Sequence, residues 1–152
     1  MVHLTLVPKQ KCFKLTTEDI QHFPFMAKLQ VDESKEATGK RAPIDVVCVI
    51  DRSGSMFRGT KWEYLVQTME DLSGLLQEYD RLSIVSFNYS ATRDTKLLRM
   101  NDKGKKKVDD TMKRLKPGGD TSIGDGLQLA IKVLTDRKYR NKVSSILLLS
   151  DG

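Results

Sequence analysis

The stretch "IDVVCVIDRSGSM", Ile44–Met56, decides the fold. Its first seven residues are nearly all apolar, then Asp51 ends the run and Ser53 and Ser55 follow at alternate positions. A run this apolar does not suit a strand with one wet face. It suits a parallel strand covered on both sides, the kind found in α/β sheets. A carboxylate and two hydroxyls at the mouth of such a strand lie where working groups gather in these sheets, just beyond the strands' carboxyl ends.

Strands and helices alternate outward from this point. "KWEYLVQTMEDLSGLLQEY" places Trp62, Leu65, Val66, Met69, Leu72 and Leu76 on one helical stripe. "RLSIVSF" reads as a second strand and "TKLLRM" as a shorter, weaker one. "KGKKKVDDTMKRL" is a helix with Val108, Met112 and Leu115 inward, and "KPGGDTSIGDG" is a glycine-rich loop. "LQLAIKVLTDR" is a helix with Leu127, Ala130, Ile131 and Leu134 inward, and "VSSILLLSDG" reads as a last buried strand. The predicted class is α/β, a doubly wound, mostly parallel open sheet with helices on both faces. Before it, "HLTLV" and "FMAKLQV" alternate as half-exposed strands do. The expected division is therefore an N-terminal β extension and linker over 1–42 and the main domain over 43–152.

Composition narrows the function classes. The 152 residues are 39% hydrophobic and 30% charged, as in a soluble globular chain with a real core. No apolar run is long enough to span a bilayer, and the N-terminus does not read as a secretion signal. Two cysteines, Cys12 and Cys48, are too few for a disulfide scaffold, and an intracellular, cytoplasmic setting is expected. The net charge is +6, but the basic residues are scattered apart from Lys103–Lys107, which reads as a solvated helix face. That run has no interleaved aromatics, so nucleic-acid binding has no clear support.

Asp51, Ser53, Ser55, Thr121 of the glycine-rich loop and Asp151 after the last strand would meet at one rim. Two carboxylates and three hydroxyls are all oxygen donors, which select Mg²⁺, Mn²⁺ or Ca²⁺ over zinc or copper. The competing structural reading makes the aspartates turn caps and the serines N-caps. Arg52 is expected to point away from an ion. Gly54 is expected to permit a tight turn, and Asp125 reads as a helix-dipole residue.

"DVVCVIDRSGSM", "DRLSIVSFN", "GGDTSIGDGL" and "SSILLLSDG" together resemble a von Willebrand factor A domain with a metal-ion-dependent adhesion site. The resemblance covers about 44–152 and is nearest to intracellular members of the type joined to RING ubiquitin-ligase modules. It implies a Rossmann-like fold, an Mg²⁺-type site built by Asp51, Ser53, Ser55, Thr121 and Asp151, and a binding role rather than turnover. Ser122 is the competing ligand if the loop register shifts by one. The expected partner is a protein that supplies a carboxylate, with Arg52, Met56, Gly119 and Ser122 around the contact. Family members continue past "SDG", so the match is expected to be C-terminally incomplete and the last strand to form an edge open to self-association. Two cysteines and two histidines do not build a RING. The alternatives are a metal-free scaffold or degenerate fragment of a ligase-like protein and, less favoured, a phosphoryl-transfer enzyme. Against the enzyme, Ser53 replaces the second acidic residue such enzymes carry, and no Walker-type phosphate loop is present.

Overall fold

A computed structural model describes residues 2–8, 25–31 and 41–151. The chain divides into two units, 1–40 and 41–152. In the first unit, β1 (Val2–Pro8) and β2 (Phe25–Val31) pair antiparallel, Val2 opposite Val31 and Pro8 opposite Phe25. Cys12, His22 and most of the expected linker lie outside the described residues.

The second unit is the α/β domain. Its elements are β3 (Ile44–Asp51), α1 (Lys61–Leu75), β4 (Arg81–Phe87), β5 (Ala91–Arg93), β6 (Leu98–Arg99), α2 (Asp102–Arg114), α3 (Ile123–Thr135) and β7 (Val143–Leu149). The sheet runs β5-β4-β3-β7, with β6 also on β4. β3 is parallel to both β4 and β7, while β5 and β6 pair antiparallel with β4. The first crossover leads from β3 to one side and β7 lies on the other, so β3 stands at the switch point of the sheet.

Alternation along the strands builds two cores. Val46, Cys48 and Ile50 of β3, with Leu82 and Ile84 of β4, meet Leu65, Met69, Val108 and Met112 from α1 and α2. Val47, Val49, Val85 and Phe87 turn to the other face and meet Ala130 and Val133 of α3. β3 is buried from Val46 through Asp51, as its apolar run demands. Burial pushes the Cys48 thiol up to about 12, which leaves it an inert core residue.

Three expectations are corrected. Ile131 is 56% exposed; Ala130 faces the sheet as expected, together with Gly126 and Val133. The helix begins at Ile123 and lies close to the strands, because a Cβ at Gly126 would stand 2.7 Å from Phe87 Cδ1 and 3.0 Å from Val49 Cγ1. β7 is not buried on both sides. Among the described residues it pairs only with β3, and Val143, Leu147 and Leu148 are exposed. Gly54 does not need glycine's freedom, since its φ is not positive and it opens a 3₁₀ turn over Gly54–Phe57.

Candidate metal centre

The rim is built where β3 and β7 end side by side. The last paired residues are Ile50 and Leu149, so Asp51 and Ser150 emerge together. Asp51 is 1% exposed. Its Oδ1 accepts from the Ser53 amide at 2.7 Å, and its Oδ2 accepts from the Ser150 hydroxyl at 2.7 Å. Among the described residues no cationic side chain pairs with it. A buried carboxylate held only by neutral donors has no counter-charge, and this environment suits a cation.

A row of oxygens runs from Ser53 to the residue beyond β7. Ser53 Oγ is 3.0 Å from Ser55 Oγ, and Ser55 Oγ donates to Asp151 Oδ1 at 3.0 Å. Ser53 occupies the N-cap position of the 3₁₀ turn, yet its hydroxyl makes no capping bond. The N-cap explanation for this serine therefore does not apply. Adjacent corners of an octahedron with metal–oxygen bonds of ~2.1 Å are roughly 3 Å apart. The spacing and the all-oxygen donor set thus fit a hard divalent ion. Among the described residues no group of three or more His, Cys, Asp or Glu side chains gathers as a metal cage, so any site here depends on hydroxyls.

The glycine-rich loop is fastened to the first loop by its backbone. Gly118 N donates to Arg52 O at 2.6 Å, and Gly54 N donates to Gly119 O at 2.9 Å. Asn88 secures the loop from β4, its side chain donating to Gly118 O at 3.0 Å and its carbonyl accepting from Ser122 N at 2.8 Å. Gly119 has a φ of 99°, which favours glycine, and a Cβ there would stand 2.7 Å from Cε2 of the exposed Tyr89 ring, which would have to shift.

The structure links the ligand oxygens of three of the five expected residues, Ser53, Ser55 and Asp151, by hydrogen bonds, and ties Asp51 to Ser53 through the backbone amide. Thr121 sits on the fastened loop with its amide on Asp120 Oδ1 at 2.8 Å, and its hydroxyl is outside the linked row. Ser122 is the N-cap of α3 and donates to Asp125 Oδ2 at 2.8 Å, which draws it toward the helix rather than the rim. Arg52 is half-buried, with its amide on Phe87 O at 2.8 Å. Met56, expected at the partner face, is only 3% exposed and packs in the core below the 3₁₀ turn, because its apolar side chain fills the space over β3.

Lys61, Ser150 and Asn88 did not stand out in the sequence. Ser150 was signalled only by adjoining Asp151. Lys61, the first residue of α1, pairs through Nζ with Asp151 Oδ2. That ammonium, and then the Ser55 hydroxyl, holds the Asp151 carboxyl below the usual carboxylate range. Lys61, Met56, Tyr64, Leu65, Leu148 and Asp151 also border a groove of about 310 Å³ beside the rim.

The model of the von Willebrand factor type A domain matches residues 46–152. The chain belongs to this family. It is 35% identical over 124 residues to the E3 ubiquitin-protein ligase WAVH1 of Arabidopsis thaliana, covering 74% of this chain and 18% of that protein. It is 37% identical over 114 residues to the ligase WAV3 of the same plant, covering 74% and 15%. The chain thus spans less than a fifth of these relatives. Among solved structures, the von Willebrand factor domain of the pilus tip protein Mfa5 from Porphyromonas gingivalis superposes with a TM-score of 0.64 at 23% identity, covering 75% of this chain and 39% of that one. Proximal thread matrix protein 1 of the mussel byssus, solved with zinc in its adhesion-site motif, gives 0.58 at 23% identity, over 70% and 28%. Both confirm the fold. Domains of this family are in general protein-interaction modules.

Proposed function

We propose that Asp51, Ser53, Ser55, Thr121 and Asp151 hold one hard divalent cation, Mg²⁺ or else Mn²⁺ or Ca²⁺, and that the chain uses it to bind a partner protein through an acidic side chain. The observation that carries this is Asp51: buried, held by neutral donors alone among the described residues, and followed in the chain by Ser53 and Ser55, whose hydroxyls and Asp151 Oδ1 stand about 3.0 Å apart in a row. When bound, the ion supplies a Lewis-acidic position at which a carboxylate replaces water.

The chain's own residues set the terms. Asp51 and Asp151 contribute two negative charges, so the ion is neutralised without becoming anionic overall. Ser53 and Ser55 add donors without charge. Thr121 would join from the fastened loop. Arg52, Gly119 and Ser122 border the face where the partner docks, and Met56 supports it from beneath. The role is binding rather than turnover. The likeness to WAVH1 and WAV3 supports an intracellular setting and a substrate- or partner-recognition role within ligase-like proteins. Among the described residues no helix is long and apolar enough to cross a membrane. The edge of β7 that has no partner among the described residues offers a second contact, through which copies of the chain would pair.

The test is capture of partners from a plant extract in Mg²⁺ and in chelator, with Asp51→Asn beside the parent chain. The proposal expects a partner set lost on chelation and lost in the variant. Capture indifferent to both would favour a metal-free scaffold. Zn²⁺, the ion of the mussel protein, belongs among the ions compared by calorimetry.

A further inference from the structure

Lys61 stands in a place that local electrostatics disfavours. It opens a 15-residue helix, where the macrodipole is positive and acidic residues are preferred. Thr60 before it makes no side-chain capping bond that would offset this. The Lys61 ammonium instead crosses to Asp151, 90 residues away in sequence. A residue that breaks a local rule without a local return marks a functional constraint. The two oxygens of Asp151 are divided, Oδ1 to the serine row and Oδ2 to Lys61.

We propose that Lys61 is a built-in counter-cation that competes with the divalent ion for Asp151, so that the ion is held firmly only when an anionic partner arrives with it. This rests on the metal reading above. With the ion and both aspartates in place the local charge is balanced, and the Lys61 ammonium leaves it one unit positive. That excess repels the ion and attracts a carboxylate. A partner's acidic group relieves both terms at once, and ion and partner binding are thereby coupled. Lys61 is thus a specificity-determining residue for an acidic partner, and its neighbours Tyr64 and Leu148 line the groove where the partner's adjoining side chains would lie.

The experiment is calorimetric titration of the full chain with Mg²⁺ and with Mn²⁺ alone, for the parent, Lys61→Gln, Lys61→Met and Lys61→Arg, at two salt concentrations. Circular dichroism in chelator confirms folding of each variant. Gln and Met are expected to bind the ion about tenfold more tightly, the scale of a nearby charge screened almost as in bulk water, because the Lys61 side chain is half exposed. Arg should stay within about twofold of the parent, since charge is kept. The gain should shrink as salt rises. Equal affinity across all four chains overturns the Lys61 proposal and leaves the metal reading standing. Weaker binding in both Gln and Met assigns Lys61 to positioning Asp151 and also overturns it. No ion binding by any of the chains at millimolar concentration overturns the metal reading itself. Binding only by the neutral variants supports both.

Discussion

The two ends of β3 each carry a buried aspartate, and the two are treated in opposite ways. Asp45, at the start of the strand, is fully buried. It receives two bonds from Arg81, at 2.7 Å each, and bonds from Asn141 Nδ2 at 2.8 Å and Asn141 N at 3.2 Å. Arg137 Nε adds an ion pair at 3.3 Å. Asp51, at the other end, has neutral donors only among the described residues. One carboxylate is paired within the chain and ties β3, β4 and the segment before β7 together. The other has no such counter-charge. The same residue type in the same strand thus serves architecture at one end and points to recognition at the other.

The strongest way to break that contrast is to truncate both. Asp45→Ala leaves Arg81 and Arg137, whose side chains are only 15% and 12% exposed, without a counter-charge. Breaking a buried pair in this way costs about 3 to 5 kcal/mol. Denaturant unfolding in chelator should show that loss, and a loss under about 1 kcal/mol would remove Asp45 from the architecture. Asp51→Asn should behave differently. The amide oxygen still accepts from Ser53 N, and the amide nitrogen still reaches the Ser150 hydroxyl, so stability in chelator should move by less than about 1 kcal/mol. What it should lose is the gain from the ion, about 2.7 kcal/mol for the parent chain at a hundredfold excess over Kd. An Asp51→Asn chain that still gains stability from Mg²⁺ would place the ion elsewhere.

The contrast also explains what could be read from sequence. The run Val46–Ile50 and the positions of Asp51, Ser53 and Ser55 were legible, because burial on both faces and period-two alternation leave a direct mark on residue type. The stripes of α1 and α2 were legible for the same reason. Ile131 was not, because the rotation of α3 is set by how near Gly126 lets the helix approach Phe87, a tertiary distance with no local signature. β5 was missed because a three-residue strand has too short a pattern. Asp45 did not stand out in its apolar run, since its partners Arg81 and Asn141 are 36 and 96 residues away. Lys61 was hidden in the same way. A charge is visible in sequence, but its counter-charge across the fold is not.

A second pairing at the amino-terminal end of the sheet sharpens the comparison through pH. Burial alone would raise the Asp80 carboxyl, but the Arg41 guanidinium, then the amides of Gln77 and Ile44, outweigh it and hold it below the usual range. A carboxyl lowered on folding adds stability that is fully present above its unfolded value and is lost as pH falls through the folded one. Arg41→Gln removes the largest stabilising partner of the carboxylate. Its stability should therefore fall below the parent's at neutral pH, where the carboxylate is charged, and the gap should close as pH falls through the folded value. Equal stability of the two chains at neutral pH would show that the backbone amides alone hold Asp80 ionised.

The smallest expected effect concerns β7, whose two long sides contrast as the two ends of β3 do. One side carries a full parallel ladder to β3, and the other has no partner among the described residues. Val143 is 49% exposed and Leu148 43%. An unpaired apolar edge is a template for another strand, and a charge placed on it is the usual way natural sheets prevent that. Leu148→Lys removes apolar contact that is already half wet, so its effect on stability should stay within about 0.5 kcal/mol. Its effect on association should be larger: in sedimentation velocity the parent should show a concentration-dependent shift toward dimer, and the variant should remain a monomer. If both sediment alike as monomers, this edge does not join copies of the chain. The recognition argued for the rim would be unaffected, because Asp51 and the serines face the strand ends rather than the ladder side.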